Sequence, residues 1–248
     1  MVELVGILNV TPDSFSDGGQ FLDAKAALAR ADELFAEGAS LIDVGAESTR
    51  PNATPLTPAE EWQRLENVLP TLLKKYPRKI SLDTYHPETV ERAAALGPFI
   101  VNDVTGFAHP EMIAAAARHT LPCIISHLPN SAHGDAQAAH RGSLLDDINQ
   151  VRDELLARKK TLEQAGITDI ILDPGIGFGK TPELNRQLLA FAREAPDERV
   201  MIGYSRKRFL GEQRMELEPN LAAGRIAAQA GARYLRVHDV AGHHSLLA

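Results

Sequence analysis

The sequence predicts an α/β fold of the (β/α)8 TIM-barrel kind, a single domain over residues 1–248 with a short or truncated eighth helix. Two observations carry this. Eight short β-branched or apolar runs alternate with longer amphipathic stretches, and each run ends in polar, glycine-rich sequence. Strands alternating with helices are joined in parallel through right-handed crossovers. Eight such units close into a barrel whose chemistry gathers at the strands' C-terminal ends. Alternation alone fits a doubly wound open sheet too, which is the competing architecture.

The strand runs are Leu4–Val10, Ser40–Gly45, Lys79–Asp83, Phe99–Asn102, Pro122–His127, Asp169–Asp173, Val200–Ser205 and Tyr234–His238. Helical patterns are clearest at Ala24–Glu37, Pro58–Lys75, Leu144–Gln164 and Leu221–Ala230. In the first, Ala27, Leu28, Ala31, Leu34 and Phe35 recur at helical spacing. Thr57 before Pro58 reads as an N-cap followed by proline at the first helical position. After the eighth strand the remaining residues leave room for a helix of about two turns.

Composition narrows the function. A net charge of −7 argues against nucleic-acid binding, which wants a basic face, so an anionic ligand must meet a local cluster of donors. The single cysteine, Cys123, lies in the apolar run Leu121–Ile125 and reads as a buried, inert thiol. With no leader pattern and no membrane-length apolar stretch, a cytoplasmic location is expected.

The strand ends share a chemical bias. They present Asn9, Asp43, Asp83, Asn102-Asp103, Ser126-His127, Asp173, Ser205-Arg206-Lys207, and Arg236 with His238. Helix caps and turns use Asp and Asn, but they do not account for polar residues at all eight ends. Carboxylates beside an amide suit a flat heterocycle bearing amino and lactam groups. Lys207 and Arg236 add positive charge, and Asn9 offers an oxygen suited to Mg²⁺. The mouth thus reads as a site for a heterocycle plus phosphate. Pro174–Thr181 (PGIGFGKT) is close to a phosphate-binding P-loop, but Pro174 stands where the first glycine is required. Spacings among His127, His133, His140, His238, His243 and His244 match no zinc pattern.

Seven segments in order resemble the dihydropteroate synthase family: GILNVTPDSFSDGG from Gly6, DVGAESTRP from Asp43, DTY from Asp83, NDV from Asn102, LDPGIGFGKT from Leu172, SRK from Ser205 and RVHDV from Arg236. The resemblance implies condensation of 6-hydroxymethyl-7,8-dihydropterin diphosphate with p-aminobenzoate, giving 7,8-dihydropteroate and diphosphate. It implies a pterin-binding set of Asp83, Asn102, Asp173 and Lys207, and a diphosphate set of Arg236, His238 and Asn9, with Asn9 also on Mg²⁺. Thr49, Pro51 and Phe178 fall at the aminobenzoate side, and Arg50 and Gly177 are further expected substrate-binding residues. Phe15 and Asp17 fall on a loop that closes over the site, and Asp17, Asp173 and Lys207 are the expected catalytic residues. A homodimer and sensitivity to sulfonamides are further implications.

Four departures from the family pattern stand out. Arg208 replaces a serine associated with the aminobenzoate carboxylate, Ser126 replaces a methionine beside the pterin, Ala46 replaces a glycine, and the C-terminus is short. Two other readings stay open at this level, a pterin-binding methyltransferase and a catalytically idle pterin-binding subunit. NVTPDSFSDGG and STRP favour the synthase over the first, and Asp17, Lys207, Arg236 and His238 favour it over the second.

Overall fold

The structure is a computed structural model and describes residues 2–11, 20–49 and 52–247. Eight parallel strands run in the order β6-β5-β4-β3-β2-β1-β8-β7. They are β1 (Glu3–Asn9), β2 (Leu41–Gly45), β3 (Ile80–Asp83), β4 (Ile100–Asp103), β5 (Cys123–Ser126), β6 (Ile170–Asp173), β7 (Met201–Ile202) and β8 (Tyr234–Val237). A parallel bridge between Leu172 and Val200 joins the two ends, and the Leu172 N–H donates to the Arg199 carbonyl at 2.9 Å. That pairing closes the sheet into a barrel and removes the open doubly wound alternative.

Two layers inside the barrel follow from the two-residue period of a strand. Val5, Leu41, Ile100, Ile124, Ile171 and Met201 form one buried cluster, with Tyr234 against it. Stepping two residues along the same strands leads to Ile7, Asp43, Asn102, Ser126, Asp173, Gly203 and Arg236. An apolar plug therefore fills the lower barrel, and polar side chains form most of the layer above it. The alternate residues, among them Leu4, Ile42, Val44, Leu82, Val101, Ile125, Leu172, Leu235 and Val237, face outward into the larger cluster beneath the helices. Cys123 belongs to that cluster, and burial raises its thiol pKa, as expected for an inert residue.

The helical stretch expected over Pro58–Lys75 is two helices, α2 (Pro58–Leu65) and α3 (Leu69–Lys75). Pro70 causes the break, because its ring would clash with the carbonyl four residues earlier in a continuous helix. Thr57 is the N-cap of α2 in a full capping box with Glu60. The other helices are α1 (Gln20–Ala36), α4 (Pro87–Ala94), α5 (Pro110–Arg118), α6 (Ala136–Ala139), α7 (Ile148–Gln164), α8 (Pro182–Gln187), α9 (Leu217–Gln229) and α10 (Val240–His243). After β8, α10 has four residues and a 3-10 turn follows it, which agrees with the short final helix expected. Among the described residues, no helix is long and apolar enough to cross a membrane.

Lys180, in the segment that imitates a P-loop, is buried and turned inward. Its Nζ donates to the carbonyls of Gly175 at 2.9 Å, Phe178 at 3.0 Å and His127 at 3.3 Å. It ties the β6 loop to the end of β5. Replacing it strands three inward-facing carbonyls, each costing about 1–3 kcal/mol if water cannot reach it. Lys180→Met is expected to lose roughly 2–4 kcal/mol of unfolding free energy in a urea titration. A loss under about 1 kcal/mol would show that the carbonyls find other partners.

Candidate active site

The polar layer is organised around one guanidinium. Arg236, on β8, places NH1 3.2 Å from Asp43 Oδ2 and NH2 3.0 Å from Asp173 Oδ2. Gly203 makes room for it, since a Cβ there would lie 2.8 Å from Arg236 NH2. Asp43 also accepts from Ser81 Oγ at 2.7 Å and from Asn102 Nδ2 at 3.0 Å. A carboxylate accepts only, so the Asn102 nitrogen must face Asp43, and its Oδ1 is left buried without a partner. Asp173 Oδ1 accepts the Gly175 N–H at 2.8 Å. Its Oδ2 meets Arg236 only as an ion pair, without an aligned hydrogen bond.

Asp83 ends β3, level with Asn102 on β4 and Gly45 on β2. Burial, and then the Asp43 charge, push its carboxyl well above the ordinary range, with Arg236 opposing. Lys207 completes the ring. Its ammonium donates to the Ile176 carbonyl and lies 5.4 Å from the Phe178 ring centroid. Burial lowers its pKa to about 8; Arg236 adds to the effect, while Asp173 and Asp83 oppose it. Asp83, Asn102, Asp173 and Lys207 are thus gathered about Arg236 at one end of the barrel.

Of the remaining expected site residues, Asn9, His238, Gly177 and Thr49 are among those the structure describes. Asn9 is exposed at the end of β1, level with Gly45. His238 sits just past β8 with Nδ1 3.0 Å from Ser205 Oγ. Gly177 is exposed with φ +91°, and a Cβ on it would crowd the Lys207 chain at 3.3 Å. Thr49 is partly buried. Phe15, Asp17, Arg50 and Pro51 lie outside the described residues.

Sequence reasoning missed several contributors. Asp43 was visible as a strand end but not as the partner of Arg236. Asn220 fixes the Ser205-Arg206-Lys207 turn, its Oδ1 accepting the Arg206 N–H at 2.9 Å while Arg206 holds φ +61°. Asp103 proves to be a turn builder: it accepts from the Thr105 hydroxyl and from the Thr105 and Phe107 N–H groups, and burial still lifts its pKa to about 6. His127 is a buried residue held by Glu154 at 3.2 Å, its pKa lowered to about 4 by burial and then by Lys180. Ligand atoms of Glu47, Glu61 and His86 lie within 4.8 Å of one another. Glu47 already accepts from the Tyr85 hydroxyl, and Glu61 from Thr84 Oγ1 at 2.8 Å, so these groups form a hydrogen-bonded cluster.

Asp83 carries a pH signature. A carboxyl whose native pKa exceeds its unfolded value binds more protons when folded, so stability falls as pH rises through that window. Asp83→Asn removes this titration. The variant is expected to melt a few degrees above the wild type in mildly alkaline buffer. The gain should vanish near about pH 4, where the unfolded carboxyl also protonates. Melting curves across pH check this, and a lower melting temperature for the variant in alkali would refute it.

Comparison with known proteins agrees with this geometry. Residues 5–238 match the family described as pterin binding enzyme. Dihydropteroate synthase of Escherichia coli (strain K12) is 37% identical over 246 residues, covering 96% of this chain and 86% of the relative. Dihydropteroate synthase of Xanthomonas albilineans with 4-aminobenzoic acid superposes with a TM-score of 0.88 at 39% identity, covering 99% of this chain and 91% of that one. The same enzyme in complex with 7,8-dihydropteroate gives 0.82 at 35% identity, with the same coverages. This chain belongs to the pterin-binding enzyme family, among its dihydropteroate synthases.

Proposed function

We propose that this chain joins the methylene carbon of 6-hydroxymethyl-7,8-dihydropterin diphosphate to the amine of p-aminobenzoate, releasing diphosphate and 7,8-dihydropteroate. The observation that supports this best is the pair of buried acceptors, Asn102 Oδ1 and Asp173 Oδ2, that lack aligned donors. A buried acceptor without a donor costs about 1–3 kcal/mol. The amino and ring N–H groups of a pterin supply the donors, so the substrate relieves a cost built into the free site. Asp83, with its raised pKa, and the Lys207 ammonium frame the same heterocycle.

The reaction needs little acid–base chemistry. The bond from the methylene carbon to the diphosphate oxygen breaks, and its electron pair leaves with diphosphate. The resulting cation spreads into the electron-rich pterin ring. The Asp173 carboxylate stabilises it, with Asp17 as a second candidate. The neutral arylamine then attacks and sheds a proton to solvent. Arg236, His238 and Asn9 are assigned to the diphosphate. Arg236 must divide its donors between that ligand and the two carboxylates it already meets.

The donor set suits Mg²⁺. Asn9 offers a hard, exposed amide oxygen at a strand end, and this ion usually takes few protein ligands, keeping water and substrate phosphates for the rest. When bound, it would supply charge neutralisation of the leaving group. Phe178, Gly177, Thr49, Arg50 and Pro51 are assigned to the aminobenzoate, with Phe178 beside Lys207 where the two substrates meet.

Diphosphate release that depends on p-aminobenzoate is the direct test; release without it, or none with both substrates, would reject the synthase reading. Asp173→Ala is expected to lower pterin affinity by about tenfold or more in calorimetry and to leave almost no turnover. Unchanged affinity would remove Asp173 from the pterin site. Arg208 is exposed, so Arg208→Ser should change the KM for p-aminobenzoate by less than about threefold. A tenfold rise confined to that substrate would show that Arg208 takes over the missing serine's contact.

A further inference from the structure

We infer that His140 and Gln137, outside every family segment, are positioning residues for the second substrate. They fasten Thr49 and Asn52 to one platform and back the Phe178 ring. The Asn52 N–H, on a residue with φ +66°, donates to Gln137 Oε1 at 3.0 Å. His140 Nε2 lies 3.3 Å from the Thr49 carbonyl. A carbonyl only accepts, so this nitrogen carries the proton. The same imidazole packs on Phe178, with ring centroids 5.4 Å apart and planes at 31°.

The platform is itself fixed. Asp135 caps α6 through the Gln137 N–H at 2.7 Å, and Ala136 and Ala139 are buried with Val104 and Leu128. It sits directly on the loop that carries Phe178. A Cβ on Gly179 would come within 3.0 Å of the Ala139 carbonyl and of Pro129 Cγ. The Leu145 N–H donates to the Gly179 carbonyl at 2.8 Å, and the Thr181 N–H to the Leu145 carbonyl at 2.9 Å. Two walls from distant parts of the chain, after β2 and after β6, are therefore held at one spacing by α6. A flat aromatic acid between them is sensitive to that spacing, whereas the pterin ring of Asp83, Asn102 and Asp173 is not.

This inference rests on the assignment of Thr49 and Phe178 to the aminobenzoate, and the test separates the two. KM for each substrate and kcat would be measured for wild type, His140→Ala, His140→Gln, Gln137→Ala and Phe178→Ala. His140→Ala loses a hydrogen bond and a ring contact, so its KM for p-aminobenzoate should rise about five- to twentyfold. Its KM for the pterin should stay within about twofold. His140→Gln keeps a donor and should recover part of the loss, and Gln137→Ala should show a smaller rise of the same selectivity. If Phe178→Ala raises the p-aminobenzoate KM and His140→Ala does not, the platform is refuted and the pocket assignment survives. If Phe178→Ala has no effect, both fall. Equal rises in the two KM values for His140→Ala, with a lowered melting temperature, would mark a purely structural residue and overturn the proposal.

Discussion

Inside the barrel, Arg236 faces Asp43 at 3.2 Å and Asp173 at 3.0 Å, with Asp83 and Lys207 close by. Packing several ionisable groups into a poorly solvated interior is costly, and an ion pair there seldom adds stability against an apolar filling. Arginine is the cation that tolerates the position, because it keeps its proton under any condition a protein survives. Lysine does not have that margin, and Lys207, beside it, falls to about 8. The groups around Arg236 adjust to it: Gly203 gives up a side chain, and Asn102 turns its nitrogen toward Asp43 and so presents its oxygen. Asp83, buried beside the Asp43 charge, has its pKa raised instead.

The apolar plug beneath makes this arrangement tolerable. Val5, Leu41, Ile100, Ile124, Ile171 and Met201 close the lower barrel, so the polar layer opens toward one side only. Stability comes from that plug and from the larger cluster under the helices, which frees the upper layer for recognition. Strands β2, β4, β5 and β6 therefore carry both jobs on one face, two residues apart. That is why a two-residue strand such as β7 suffices: Met201 plugs, and Gly203 two residues on makes space for Arg236.

Much of this was legible in the residues. The eight strands were, because each is a short apolar run stopped by polar sequence, and so was the Thr57 cap. The break at Pro70 could have been read as well, since proline in mid-helix forbids continuity. The two-layer barrel was also present in the pattern, as Leu41 before Asp43, Ile100 before Asn102 and Ile171 before Asp173. What stayed hidden depends on partners that only the closed fold supplies. Lys180 binds three main-chain carbonyls, and Asn220 on α9 accepts the N–H of Arg206 in the turn after β7. Backbone groups have no sequence signature, so residues that serve them look generic. His140 was hidden for the same reason, its hydrogen-bond partner being the Thr49 carbonyl.

Lys180 and Lys207 also bear on how an acidic chain can hold an anion. The net charge is −7, so attraction must be local. Burial lowers the Lys180 pKa to about 7, and the Lys207 charge adds to that shift. A buried ammonium that feels a second positive charge holds its proton less firmly than a free lysine, and a negative charge arriving nearby offsets that. Lys180 never needs to touch the ligand to matter in this way, because Coulomb terms at low dielectric reach well beyond contact. The P-loop resemblance of PGIGFGKT is then misleading about contact but not about charge. The lysine faces inward to carbonyls, and its positive potential still stands behind the loop that carries Gly177 and Phe178.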